Sequence, residues 1–233
     1  MKVLLIAAAL LLAAAPAARA QDGAYVPSVL FSTSALDATR DVREDRTDRR
    51  PAAQKARPAS LAYATPSAAL KAQTVQGYVN RLRAKNPAAS QAVAANLGPG
   101  KHDYGQIYRG IVQGTGLREH DAADNLAAFL VLGWMIVNDV PQVSGLPAGA
   151  PQGVRAQFAP KLAANAQLAA PGAAAQLGEE MKLLFVVVQG GWQSALKENT
   201  LPAYRQGVAA LFQNQYGLDF AKVKLTAQGF VKK

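Results

Sequence analysis

The stretch "GLREHDAADNLAAFLVLGWMIVND", residues 116 to 139, decides the fold. From Leu126 to Val137 every residue is apolar or glycine. About twelve such residues fall well short of the roughly 20 that cross a bilayer, so the run predicts a buried helix enclosed by other helices. Asp121 stands at the N-cap position, and Asp124 falls at N3. There the two carboxylates offer acceptors to the free N–H groups of the first turn and face the positive end of the helix dipole. Asp124 is one methylene shorter than the glutamate of a capping box, so a reciprocal bond is not implied. Asn138, Asp139 and Pro141 end the run. Capping accounts for both aspartates and leaves His120 as the one residue of the cluster without a role.

Helical spacing extends outward on both sides of this core. Upstream, Leu70, Val75, Tyr78, Val79 and Leu82 recur at about 3.6 residues and predict a helix ending near Lys85. Asn86-Pro87 reads as an N-cap with proline at the first helical position, opening a short helix that stops at Gly98-Pro99. Asp103 caps a third helix carrying Tyr104, Ile107, Tyr108, Ile111 and Val112. Gly116-Leu117 is expected to close it as a glycine with an apolar contact beyond. Downstream, Ser144 to Pro151 reads as a loop. Val154, Phe158 and Leu162, with Leu168 beyond, mark another helix, which Pro160 should kink or break.

A longer helix is expected over about 173–197, through Leu177, Met181, Leu184, Phe185, Val188, Trp192 and Leu196. The triplet Val186-Val187-Val188 argues for a strand instead, but the spacing on both sides and Glu179-Glu180 favour helix. Gly190-Gly191 in its middle either admits a close neighbour or marks a bend. Pro202 opens a helix over Tyr204, Val208, Leu211 and Phe212, closed by Gly217-Leu218. A last short helix over Asp219 to Leu225 precedes the tail "TAQGFVKK". Gln-Gly recurs at 76, 113, 152 and 189, but the residues around the four copies do not match, so no repeat is inferred. The expected fold class is all-α: a single compact helical bundle of about six to eight helices.

The N-terminal region reads differently. Lys2, the apolar Val3 to Ala15 and Ala18-Arg19-Ala20 have the three parts of a secretory signal peptide, with cleavage after Ala20. Residues 21–66 form a low-hydrophobicity spacer, mostly disordered, containing the charged block "RDVREDRTDRRPAAQKARP" at 40–58. Its interleaved acids and arginines could also form one exposed helix held by i,i+4 pairs. The helical domain then occupies 67–233. The formal charge of +10 falls to +8 without Lys2 and Arg19 (23 basic against 15 acidic residues). That balance draws the protein toward anionic envelope components. The mixed charges of the spacer argue against specific nucleic-acid binding, and no transmembrane segment is expected in the mature chain. With no cysteine, there is neither a thiol nucleophile nor a disulfide.

Catalytic patterns are sparse. Only His102 and His120 supply imidazole, and neither accompanies a G-x-S-x-G turn. Asp121 with Asp124, and Glu179 with Glu180, are the available carboxylate pairs. Adjacent glutamates diverge on a helix, and the aspartates are engaged in capping. Neither H-E-x-x-H nor facing E-x-x-H motifs occur. Glu119, His120, Asp121 and Asp124 could surround one hard cation only in a loop built for it. Trp134 and Trp192 lie within apolar helices and read as core. No catalytic, cofactor-binding or metal-ligating residue is assigned.

The order "YGQIYRGIVQGTGLREHDAADNLAAFLVLGWMIVN", "LGEEMKLLFVVVQGGWQSAL" and "GVAALFQNQYGLDFAKVKLTAQGFV" resembles an uncharacterised family of exported bacterial proteins known as a domain of unknown function. The likeness covers roughly 61–231 and implies a helical exported domain without an established activity or cofactor. The expected function is a non-enzymatic binding or structural module of the cell envelope, periplasmic or secreted. Its partner would be an envelope protein or an anionic envelope component. The alternative is a small exported hydrolase using acidic residues and His120 or His102. Geometry separates the two: the hydrolase needs Asp121, Asp124 and His120 in an open pocket with Glu179 or His102, whereas the binding module needs them only as caps.

Overall fold

The computed structural model describes residues 60–233. The signal peptide, the charged block and all of the spacer before Ser60 lie outside the described residues. Among the described residues there are seven α-helices and one two-stranded antiparallel sheet. The helices are α1 (Ala68–Arg83), α2 (Pro87–Leu97), α3 (Tyr104–Val112), α4 (Ala122–Val137), α5 (Ala150–Ala163), α6 (Ala173–Lys197) and α7 (Leu201–Tyr216). The strands are β1 (Val223–Thr226) and β2 (Gly229–Lys232). The class is all-α, and no helix of the described residues is long and apolar enough to cross a membrane.

Helix α4 is the axis of the bundle. Leu126, Phe129, Leu130 and Ile136 are each at most 1% exposed. Burying each contributes about 1.5 to 3 kcal/mol relative to leaving it in water. Around α4 stand α5, α6 and α7, with α3 packed on α6, while α1 and α2 form a hairpin that joins the bundle through α1 and α6. Helix α7 can approach closely because Gly133 has no Cβ, and the Phe212 ring occupies that space. Gly191 plays the same part for Tyr204, whose hydroxyl donates to the Val188 carbonyl at 2.7 Å. Of the two roles open to Gly190-Gly191, close approach is the one observed, and α6 runs unbroken through the valine triplet.

Local chemistry sets most helix starts. Ser67, Asn86, Asp103 and Asp121 each accept a first-turn N–H at α1, α2, α3 and α4. Three expectations are corrected. Pro160 does not break α5, because it stands in the last turn, where the missing N–H removes only one intrahelical bond. Helix α3 stops at Val112, four residues before Gly116, whose positive φ of 77° serves the following turn. There Gln152 Nε2 fills the space a side chain at 116 would need and donates to the Thr115 carbonyl.

The third correction concerns the C-terminus. The expected helix over Asp219 to Leu225 is a single 3-10 turn, Phe220–Lys222, followed by the β1–β2 hairpin. Val223 and Leu225 point inward with Lys224 outward, the period of a strand. Gly229, at φ 102°, closes the turn opposite Thr226. The hairpin seats on α5, where Gly153 brings two backbones into contact with Ala227 and Gly229. Gln157 fixes its register, accepting from Phe230 N–H at 2.9 Å and donating to Phe230 C=O at 3.0 Å.

Candidate functional site

The charged residues before α4 divide into two clusters. In the first, Asp121 Oδ1 caps the helix through the N–H groups of Ala123 at 3.0 Å and Asp124 at 3.1 Å. Its Oδ2 meets Arg118 at 2.5 Å and Arg155 at 3.5 Å. Asp124, at N3, accepts from Arg118 Nε at 2.7 Å and from the Arg118 N–H on one oxygen, and its other oxygen forms an ion pair with Arg155, whose Nε lies 2.6 Å away. No return bond to the cap forms; the shorter side chain pairs with arginine instead. Both aspartates are buried, and the two charges are matched by two guanidinium groups.

The second cluster lies where α3, α4, α6 and the chain before α1 meet. Glu179 and Lys182, one helical turn apart on α6, are completely buried, with Lys182 Nζ 2.5 Å from Glu179 Oε1. Glu179 also accepts from the hydroxyls of Tyr104 at 2.8 Å and Tyr63 at 3.1 Å. Asn125 accepts from Tyr63 at 2.8 Å, while its amide donates to Tyr108 at 3.1 Å and to the Glu119 carbonyl at 3.0 Å. Burial first, and then the Glu179 carboxylate, push the hydroxyls of Tyr63 and Tyr104 far above the ordinary tyrosine range, so both remain donors. Tyr108 is pushed up mainly by burial. Glu119 is held below its ordinary 4.5, first by hydrogen bonds from Arg109 at 2.7 and 3.1 Å.

Tyr63 reaches this cluster from a short extended strap. The Ala122 N–H donates to the Leu61 carbonyl at 2.8 Å, and the Tyr63 N–H to the His120 carbonyl at 3.0 Å, forming one isolated bridge between Ala62 and Asp121. Leu61 and Tyr63 thus belong to the packed domain, although they precede the boundary read at residue 66. His120 has a definite place: its ring stands 5.6 Å from that of Tyr63, and Nε2 is 3.5 Å from Glu119 Oε1. His102 is exposed ahead of α3. The adjacent glutamates do diverge, Glu179 inward and Glu180 toward Arg81 at 3.4 Å. Burial raises the Glu180 carboxyl despite that arginine. Among the described residues no three acids or histidines converge as metal ligands.

Sequence reasoning missed Tyr63 and Lys182. Leu61-x-Tyr63 was a visible signal, two large residues alternating in a stretch of small ones. Lys182 lies three residues after Glu179 inside an otherwise apolar helix face, which is the spacing of a paired buried charge.

An apolar concave surface lies elsewhere. A half-open cleft of about 110 Å³ sits between α3, α4, α6 and the 141–151 segment. Val131, Leu132, Met135, Phe185 and Trp192 form its walls, and Ile111 and Val143, 36% and 48% exposed, lie at its margin. Thr115 and Gln189 are its polar lining residues, and none of its lining residues is charged. Trp192 is therefore both core and cleft wall, whereas Trp134 is not in the cleft and donates its indole N–H to the Val223 carbonyl at 3.1 Å. Comparisons with protein-family models, with curated proteins and with solved structures give no match to this chain.

Proposed function

We propose that the protein is a non-enzymatic binding module of the cell envelope, exported to the periplasm or beyond, and that it holds the end of an alkyl chain in the cleft against Trp192. Export is supported by the signal-peptide pattern of residues 1–20 and by the resemblance to an exported family. One observation carries the binding reading: the open cleft is apolar and uncharged, while Asp121, Asp124 and Glu179 are buried, paired with basic side chains, and line no part of it. A hydrolase would need a carboxylate or imidazole turned toward such a cleft.

Size narrows the ligand. An apolar cavity of roughly 150 Å³ accepts benzene. The smaller cleft suits the narrow methyl end of an alkyl chain, with the rest passing out over Ile111 and Val143. In the envelope such chains belong to lipids and lipid-modified proteins, and the basic surface suits their anionic head groups.

The two tryptophans supply a test. Dodecanoic acid brominated at its methyl end quenches an indole that it touches. In Trp134→Phe protein, where Trp192 alone emits, saturable quenching is expected. In Trp192→Phe protein, the emission of Trp134 should remain. Equal quenching of both variants, or of neither, would sink the reading.

A further inference from the structure

We propose that Tyr63 is a displaceable occupant of a second binding site, built to recognise a phenol ring and its hydroxyl, and that the strap carrying it opens to admit such a ligand. The site is already complete without Tyr63. Its floor is the bare backbone of Gly178, where any Cβ would run into the Tyr63 ring. Its far wall is the Glu179–Lys182 pair, with Lys182 Nζ 5.5 Å from the centre of the Tyr63 ring and the His120 ring at the side. Three acceptors converge where the phenol oxygen lies: Asn125 Oδ1 at 2.8 Å, Glu179 Oε1 at 3.1 Å and the Glu119 carbonyl at 3.3 Å. A hydroxyl has one proton for these three, so they surround the position as a donor-selective cup, one of whose walls is a fully buried carboxylate.

Lys182 stands beside them, buried and paired with Glu179 at 2.5 Å, with Glu119 Oε1 4.0 Å away, so the carboxylate wall of the cup keeps its counter-charge whether or not Tyr63 is in place.

Apart from Tyr63 itself, what holds the strap is slight compared with what it covers. Ser60, Ala62, Ala64 and Thr65 are exposed. Two backbone hydrogen bonds join the strap to the start of α4, and Leu61 is its one side chain buried in the core. Beyond it lies a broad cavity of about 630 Å³ between residues 60–70 and 168–175, which leaves space for the strap to move outward. Such weakly tied segments open at lower free energy than the helices beneath them.

The chemistry recognised is a para-substituted phenol, available as a free compound or as a tyrosine of another chain. The full chain and its Tyr63→Ala variant are titrated with p-cresol, toluene and N-acetyltyrosinamide, following thermal stability and amide exchange. In Tyr63→Ala, p-cresol should bind saturably and about tenfold or more tightly than toluene, the worth of a hydrogen bond to a charged acceptor. In the unaltered protein, p-cresol should speed exchange of the Tyr63 and Ala122 amides, which bond across the strap, while those of α6 and of α4 beyond its first turn stay protected. Binding of N-acetyltyrosinamide as well assigns the site to a tyrosine of another chain; binding of p-cresol alone assigns it to a free phenol. Toluene binding as tightly as p-cresol, or unchanged exchange at the Tyr63 and Ala122 amides, overturns the proposal. Should Tyr63→Ala not fold, Tyr63→Phe decides: p-cresol must displace its strap at lower concentration than in the unaltered protein, and an equal concentration overturns the site.

Discussion

Asp121 performs two jobs with two oxygens, and substitution separates them. One oxygen caps α4 through Ala123 and Asp124; the other balances Arg118 and Arg155. Loss of an aspartate cap costs about 0.5 to 2 kcal/mol. Both arginines are partly in water, so they regain hydration when the carboxylate goes, and the ionic part adds only modestly. Asp121→Ala is therefore expected to lose about 2 kcal/mol, and Asp121→Asn, which keeps a capping oxygen, about half of that. Urea unfolding of the two variants checks this, and equal losses would show that the arginines, not the cap, hold the start of α4. Capping was legible because it is a relation among residues three apart. The buried site was not, because Tyr63, Asn125 and Glu179 lie far apart in the chain and meet only when α4 and α6 pack. His120, unexplained by spacing, acquires its neighbour from the strap.

At the scale of elements, two glycines on helices carry opposite expectations. Alanine is favoured over glycine in a helix interior by up to about 1 kcal/mol. At Gly110 on α3, an added Cβ meets nothing within 4 Å, so Gly110→Ala should gain most of that amount. At Gly133 on α4, the Cβ would fall on the Phe212 ring, itself wedged between Phe129 and Phe220 at 4.9 and 4.7 Å. Overpacking of this kind costs about 1 to 3 kcal/mol and outweighs the propensity gain. Gly133→Ala should thus melt below the parent and Gly110→Ala above it; the same shift in both would mean that α7 yields easily. Element boundaries followed from caps and prolines, which act locally. The hairpin escaped because its strands are four residues each, too short for a period of two to stand out against a neighbouring helix. The difference between Gly110 and Gly133 likewise depends on a partner helix that no local pattern names.

For the whole molecule, the C-terminal hairpin is the piece that ties both ends of the packing together. Phe230 stacks on Phe220 at 5.3 Å, and that ring continues through Phe212 to Phe129 at the middle of α4. Val223 accepts the Trp134 indole N–H, and Gln157 of α5 grips Phe230 through both backbone groups. A chain ending at Lys222 would lose Val223, Leu225 and Phe230, all buried, each contributing about 1.5 to 3 kcal/mol. It would also bare Phe220 and leave the Trp134 N–H without its acceptor. A domain of this size has about 5 to 15 kcal/mol in total, and burial figures based on an extended unfolded chain are upper values. The deletion still removes a large share, so the truncated chain should keep its helical far-ultraviolet circular dichroism while losing the near-ultraviolet signal of fixed aromatics and its sharp melting transition. Gln157→Ala, which cuts two hydrogen bonds and no apolar area, should lose about 1 to 3 kcal/mol and remain cooperative. A truncated chain that melted as sharply as the parent, within a few degrees of it, would mean that the helices close their core without the hairpin and that the aromatic chain ends at Phe220.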